Sequence, residues 1–175
     1  MAFDAFMYFP DNTKMVGESQ DKRMKADHKA TEILSFEIGA ENNINIGSIT
    51  AGGGAGKATF KELTITKKTD LMSDKLFESC VTGEHFDTMV IELRRSSQGG
   101  GGKGGTFLKW EFKLVMIQDI SWSGSDGDDI CEETVVIQYG AMKVTYTPQK
   151  EDGTAGTPTN KMWSRVLNEA SLDVK

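Results

Sequence analysis

The sequence predicts a mainly β protein: an antiparallel β-barrel of two sheets, with one short flanking α-helix and a long extended loop. Three observations support this prediction. Apolar and polar residues alternate with a period of two in several short runs, as in strands that bury one face. Nineteen glycines against three prolines are typical of strands joined by glycine turns. No strand–helix–strand rhythm runs along the chain, so a parallel sheet is not expected.

Length and charge restrict the class of protein further. The 175 residues predict a single domain over residues 1–175. Twenty basic and 26 acidic residues give a net charge of −6, which disfavours nucleic acid as a partner because phosphate binding requires a concentrated positive patch. The first sixteen residues have no basic n-region, and no apolar run reaches transmembrane length. We therefore expect no signal peptide and no membrane partner.

The first part of the chain predicts two strands separated by an exposed connection. Residues 3–9 are rich in aromatic side chains and stop at Pro10. Residues 11–29 are polar and charged, as in an exposed connection. Residues 31–39 alternate again, which places Leu34, Phe36 and Ile38 toward the core and Ser35 and Glu37 on the opposite face.

A long stretch without an apolar pattern follows at residues 39–57, and its extended loop spans residues 43–57. Loops of this length are uncommon in a compact domain and usually have a function. The run GGGAGKAT at residues 52–59 resembles a phosphate-binding loop. However, Ala51 and Ala58 stand where that motif requires a glycine and a hydroxyl, and a strand follows instead of a helix. A flexible loop is the better interpretation.

The one predicted helix spans about residues 74–82. In the strand before it, at residues 63–66, apolar residues alternate with threonines. The period then changes to a helical stripe of Leu76, Phe77, Cys80 and Val81. Ser73 is the predicted N-cap, and Gly83 lies where a left-handed residue would end the helix.

The second half of the chain reads as strands and turns. Residues 96–105, SSQGGGGKGG, predict a flexible hairpin tip. The predicted strands cover residues 89–94, 107–117, 133–139, 142–147 and 162–167. Within residues 107–117 the predicted core face carries Leu108, Trp110, Phe112, Leu114 and Met116. The strands at 133–139 and 142–147 are expected to pair across Gly140 and Ala141.

No catalytic, cofactor-binding or metal-binding residue stands out. The acidic stretch at residues 126–133 lacks the glycine and glutamate offsets of a calcium loop. His28 and His85 are the only histidines, and neither lies in a recognisable ligand spacing or nucleophile motif. Cys80 and Cys131 are too few for a disulfide framework. We therefore expect no enzyme, but a β-domain whose glycine-rich loops suit assembly or binding.

Taken in order, several segments resemble the haemolysin-coregulated protein (Hcp) family of the type VI secretion system. The resemblance covers nearly the whole chain, with departures between residues 20 and 31 and at residues 98–105. The segments that carry it are MAFDAF at 1–6, GESQD at 17–21, the glycine run at 52–57, LTITKKTD at 63–70, residues 73–80, GEHF at 83–86, residues 133–146 and YTPQKEDG at 146–153.

The resemblance implies a subunit of the type VI inner tube. Six copies would form a ring, rings would stack, and small effector proteins would lie in the lumen. The implied partners are also a spike (VgrG-type) protein and a contractile sheath. The protein would be cytoplasmic before firing and then secreted without a signal peptide, with no cofactor.

The resemblance also implies positions for the contacts. The extended loop would reach a neighbouring subunit or ring, through Ile44, Ile46, Ile49, Gly52, Gly53, Gly54, Gly56 and Lys57. Ser35 and Glu37 would face the channel and its cargo. The alternative is a specialised secreted effector or adaptor of the same family that binds a partner through its glycine-rich loops. An enzyme fused to the family domain is not expected, because no extension of domain size follows Tyr146.

Overall fold

The computed structural model describes residues 3–44, 55–95 and 105–175, with the side chains of Ile44 and residues 55–57 left aside. Within these ranges the chain forms ten strands and two helices. In chain order they are β1 (Phe3–Tyr8), α1 (Lys22–His28), β2 (Thr31–Glu32), β3 (Ser35–Glu37), β4 (Ala40–Ile44), β5 (Ala55–Phe60), β6 (Leu63–Lys68), α2 (Ser73–Thr82), β7 (His85–Arg95), β8 (Thr106–Ser123), β9 (Glu132–Tyr146) and β10 (Thr159–Ser164).

The strands form two antiparallel sheets, which confirms the predicted fold class. The large sheet has eight strands in the order β2-β1-β7-β8-β9-β6-β3, with β10 beside β9. It curls around one apolar core, as in a half-barrel. The second sheet is the β4–β5 pair, which we call the ribbon. The core is built from fully buried side chains of every long strand, among them Met7, Ile65, Met89, Ile91, Phe112, Val115, Val135 and Ile137.

The curl of the large sheet is concentrated at a crease across β8 and β9. Phe112 faces the core, but Leu114 has a positive φ of 52°, and Val115 is the next residue to face the core. Gly140 of β9 lies opposite Leu114, and a Cβ added there would be 3.1 Å from the Cβ of Leu114. The predicted inward face of residues 107–117 is therefore wrong beyond Phe112, because Leu114 and Met116 lie outside the core.

The same glycine corrects the predicted hairpin of residues 133–147. Gly140 does not turn the chain; β9 runs through it without interruption, and its carbonyl accepts a hydrogen bond from the Arg165 backbone N–H at 2.8 Å. The last strand begins and ends three residues before the predicted range of 162–167, and it pairs with the second half of β9.

The predicted strand at residues 31–39 is divided into β2 and β3. Thr31 pairs with β1 on one side of the sheet, whereas Phe36 pairs with β6 on the other. This segment therefore joins the two ends of the curled sheet. Ile33 is buried between them, Phe36 and Ile38 are partly buried against the core, and Leu34 is exposed, contrary to the prediction.

A second helix, α1, lies in the stretch predicted as an exposed connection. Asp21 caps it by accepting hydrogen bonds from two backbone N–H groups, and its carboxylate also lies 2.7 Å from the Arg94 guanidinium of β7. Burial alone would raise the pKa of Asp21, but the Met24 N–H and the charge of Arg94 hold it below its usual range. Met24 is fully buried in a small apolar cluster on the outer face of the sheet, with Phe6, Tyr8, Ala30 and Val90. The helix thus covers the β1–β7 part of the sheet from outside.

Helix α2 agrees with the prediction in its range and its C-terminus, where Gly83 has a φ of 71°. Its predicted N-cap and apolar stripe are partly wrong. Ser73 lies inside the helix, Leu76 is buried, but Phe77 and Val81 are 47% and 64% exposed. The buried face of the helix includes Ser79 instead, whose hydroxyl donates a hydrogen bond to the Lys75 carbonyl at 2.7 Å.

A buried ionic network fixes α2 to the sheet. The Lys67 ammonium of β6 is fully buried, and lies 2.7 Å from Glu133 of β9 and 2.8 Å from Asp70. Glu133 also accepts hydrogen bonds from the Ser73 hydroxyl and the Trp122 indole N–H, at 2.9 and 2.8 Å. Because every charged atom has a partner of opposite charge or a hydrogen bond, the network can be accommodated in the core.

Candidate assembly surfaces

The described ends of the predicted extended loop belong to the ribbon. Strand β4 pairs with β5 in antiparallel register from Ala40–Phe60 to Ile44–Ala55, with an irregularity between Asn42 and Ile44. The prediction of an irregular segment throughout residues 39–57 is therefore wrong for both arms. No other strand of the described ranges pairs with the ribbon.

Three of the eight predicted contact residues lie in the described arms of this region. Ile44 lies in β4, and Gly56 and Lys57 lie in β5. The other five lie outside the described residues: Ile46, Ile49, Gly52, Gly53 and Gly54. Residues 96–104 of the predicted hairpin tip also lie outside the described residues.

The two predicted channel-facing residues lie on an open edge. Ser35 and Glu37 belong to β3, the last strand of the large sheet, and both are exposed as predicted. Their cross-strand neighbours in β6 are Thr66 and Thr64, and the Ser35 and Thr66 hydroxyls are 2.7 Å apart. The unpaired backbone of such an edge can accept another strand.

The crease forms one wall of an open groove of about 570 Å³ on the outside of the sheet. Its other walls are the base of the ribbon and the segment after β10. Sequence reasoning missed this groove, because it assigned Leu114 and Met116 to the core. The signal that could have revealed it is Gly140, since a glycine inside a strand pattern often marks a close backbone approach. The lining includes Phe60, Leu114, Met116, Trp163, Arg165 and Val166.

Arg165 is the charged residue of this groove. Its Nη1 donates hydrogen bonds to the Tyr139 carbonyl at 2.8 Å and to the Gln138 side chain at 3.3 Å. The guanidinium also lies 5.0 Å from the centre of the Tyr139 ring. Burial raises the pKa of the Tyr139 phenol, and the positive charge of Arg165 partly offsets that rise. A cation in these surroundings attracts anionic groups into the groove.

Two further surfaces carry exposed apolar groups. Phe77 of α2 and Trp122 of β8 are in contact, with ring centres 5.9 Å apart, and both are about half exposed. Ile130 is 50% exposed in the acidic turn that joins β8 to β9.

Within the described residues, no three His, Cys, Asp or Glu side chains are grouped to hold a metal ion. The helices there include none long and apolar enough to span a membrane.

Comparison with known proteins gives the family. Residues 6–146 match the family described as "Type VI secretion system effector, Hcp". The chain belongs to this family. The resemblance found in the sequence is therefore confirmed, and with it the assignment to type VI secretion.

Individual relatives and solved structures agree with this assignment. The Hcp protein hcp1 of Pseudomonas aeruginosa is 30% identical over 109 residues, which span 62% of this chain and 65% of that relative, slightly less than two thirds of its length. A solved "type six secretion system protein" is 31% identical, with a TM-score of 0.85 over 97% of this chain and all of the other. Hcp1 from Salmonella typhimurium, at 23% identity and a TM-score of 0.71 over 98% of this chain and all of the other, has the same fold.

Proposed function

We propose that this chain is a structural subunit of the type VI inner tube. Six copies form a ring, rings stack, and the lumen carries small effector proteins. The tube with its spike is driven outward by a contracting sheath, so the protein leaves the cytoplasm by this apparatus and acts as a structural part instead of an enzyme.

The observation that carries the proposal is the ribbon. A two-stranded ribbon is marginally stable in water unless it packs against something. This ribbon pairs with no other strand in the described part of the chain. In a family of type VI secretion, a second copy in the same or the next ring is the natural support. The open β3 edge favours the same kind of contact between subunits.

The purified protein is expected to form a ring. Light scattering combined with size-exclusion chromatography should give about 115 kDa for six copies of the 19.2 kDa chain, and electron micrographs should show closed rings. A molecule that stayed monomeric at micromolar concentration would contradict the proposal. It would favour the alternative of a secreted adaptor that acts as a single chain.

A shortened ribbon serves as the second arm of this experiment. Deleting residues 49–56 should leave the thermal stability of the monomer almost unchanged, because their sequence has no periodic apolar face for a core to bury. Ring formation or stacking should be weakened. A large fall in the melting temperature of the monomer would show instead that the ribbon stabilises its own subunit.

Cargo retention should depend on Glu37. We place the exposed β3 face toward the channel, so Glu37→Arg should leave the ring intact and reduce the amount of effector that co-purifies with it. Glu62→Arg, at an exposed position just before β6, is the control with the same change of charge. Equal retention of effector by the wild type and both variants would show that Glu37 does not contact the cargo.

A further inference from the structure

The groove beside the crease has a cation without a carboxylate partner. Nη1 of Arg165 is occupied by the Tyr139 carbonyl and the Gln138 side chain. Across the described ranges, its Nη2 and Nε make no hydrogen bond, and the guanidinium makes no salt bridge. Around it stand apolar side chains, of which Met116 and Val166 are 40% and 52% exposed. The groove therefore suits an apolar side chain with a carboxylate next to it.

The chain itself presents such a segment in the turn between β8 and β9. Residues 128–132 read DDICE, and all of them are exposed. Ile130 projects an apolar side chain that is 50% exposed, between carboxylates on both sides. Asp128 accepts a hydrogen bond from the Ser125 N–H at 2.8 Å. The Asp129 carboxylate, in contrast, has no salt bridge or hydrogen bond with another described residue.

The segment cannot reach the groove of its own subunit. Strand β9 runs continuously from Glu132 to Gly140, where the crease forms the wall of the groove. Eight residues of strand at about 3.3 Å each separate the two by about 26 Å. Only a second copy can therefore bring this segment and this groove together.

We propose that residues 128–132 of one copy dock into the crease groove of the next. Ile130 packs against Leu114, Met116 and Val166, and Asp129 forms a salt bridge with Arg165. The two surfaces differ, so the contact is head-to-tail and leads to a ring or a stack and not to a two-fold dimer. The inference builds on the proposed tube function, because it names the residues through which copies associate.

A charge exchange tests the pair directly. Arg165→Asp and Asp129→Arg should each weaken association between copies about tenfold or more, since each leaves two like charges facing each other. The double variant, Asp129→Arg with Arg165→Asp, should recover most of the association measured by sedimentation velocity. Lys150→Glu, an exposed charge reversal away from both surfaces, is the control and should associate as the wild type does.

Two outcomes would overturn the inference. One is an Asp129→Arg variant that associates as strongly as the wild type. The other is a double variant that associates no better than the single variants while its melting temperature matches that of the wild type.

A peptide separates this inference from the proposed ring. A fluorescent peptide of residues 125–133, with serine in place of Cys131, should bind the full-length protein, and the same peptide with Ile130→Asp should not. Binding that is lost in Arg165→Asp supports the groove even if the wild type forms no rings. Rings without such binding, and without sensitivity to the charge exchange, would leave the tube function standing and reject this contact.

Discussion

Lys67→Met is expected to lower the free energy of unfolding by about 3–5 kcal/mol, the usual result of removing one partner from a buried ion pair. The ammonium is fully buried and lies within 2.8 Å of both Asp70 and Glu133. Its removal leaves the Glu133 carboxylate in the core without a cation. Urea unfolding of both proteins in the same oligomeric state measures the difference.

The neighbouring lysine provides the control. Lys68→Met changes the same chemical group one residue later, on the exposed face of β6, and should change stability by less than about 0.5 kcal/mol. Replacing Lys67 and Glu133 together, by Met and Leu, should restore part of the loss, because no unpaired charge then remains at Glu133. Equal costs for Lys67→Met and Lys68→Met would show that the network contributes little.

Gly17→Ala is expected to destabilise the fold by about 3 kcal/mol, at the upper end of the usual cost of overpacking. A Cβ at this position would lie 2.4 Å from the Thr31 nitrogen and 2.5 Å from the Ala30 carbonyl carbon and oxygen. These are backbone atoms, so no side-chain rotation relieves the clash. The Gly17 N–H also donates to the Lys29 carbonyl at 2.7 Å, so the two segments cannot separate without losing that bond.

Gly105→Ala is the matched control for this prediction. Among the described residues, an added Cβ there meets no atom within 4 Å, so stability should stay within about 0.5 kcal/mol of the wild type. Thermal melting and urea unfolding of both variants give the comparison. A Gly17→Ala protein as stable as Gly105→Ala would mean that the segment before α1 moves freely from β2.

Much of the fold could be predicted because most strands bury a single face. The alternation around Leu63 and Ile65 gave the strand β6 correctly, and its parity also places Lys67 on the buried face. That a lysine would be buried could not be predicted, because its partners Glu133 and Asp70 come from other elements. The local pattern predicts the face on which a side chain lies, but only the tertiary structure shows which residues it contacts.

Two errors arise where the apolar pattern is interrupted or weak: the inward face of β8 and the missed helix α1. Leu114 takes a left-handed conformation that a leucine adopts only when the fold imposes it, and the inward face then shifts by one residue. In α1, a single buried side chain, Met24, gives too weak an apolar pattern for a helix to be recognised.

The candidate site was predicted in part. Ser35 and Glu37 are exposed as expected, because they lie opposite the apolar face of their segment. The ribbon was missed because none of its described side chains is buried, so these residues show no alternation. The groove could not be predicted, since it depends on three segments far apart in sequence meeting beside Gly140.

The order of the strands in the large sheet has a consequence for synthesis. The β3 edge joins the sheet only through β6, and β6 pairs on its other side with residues 132–137 at the start of β9. On the ribosome, β3 and β6 therefore have no partner in the rest of the sheet until more than three quarters of the 175 residues have been translated. We expect nascent chains to be unable to associate with finished subunits through β3, so that polymerisation begins only with released, fully folded protein.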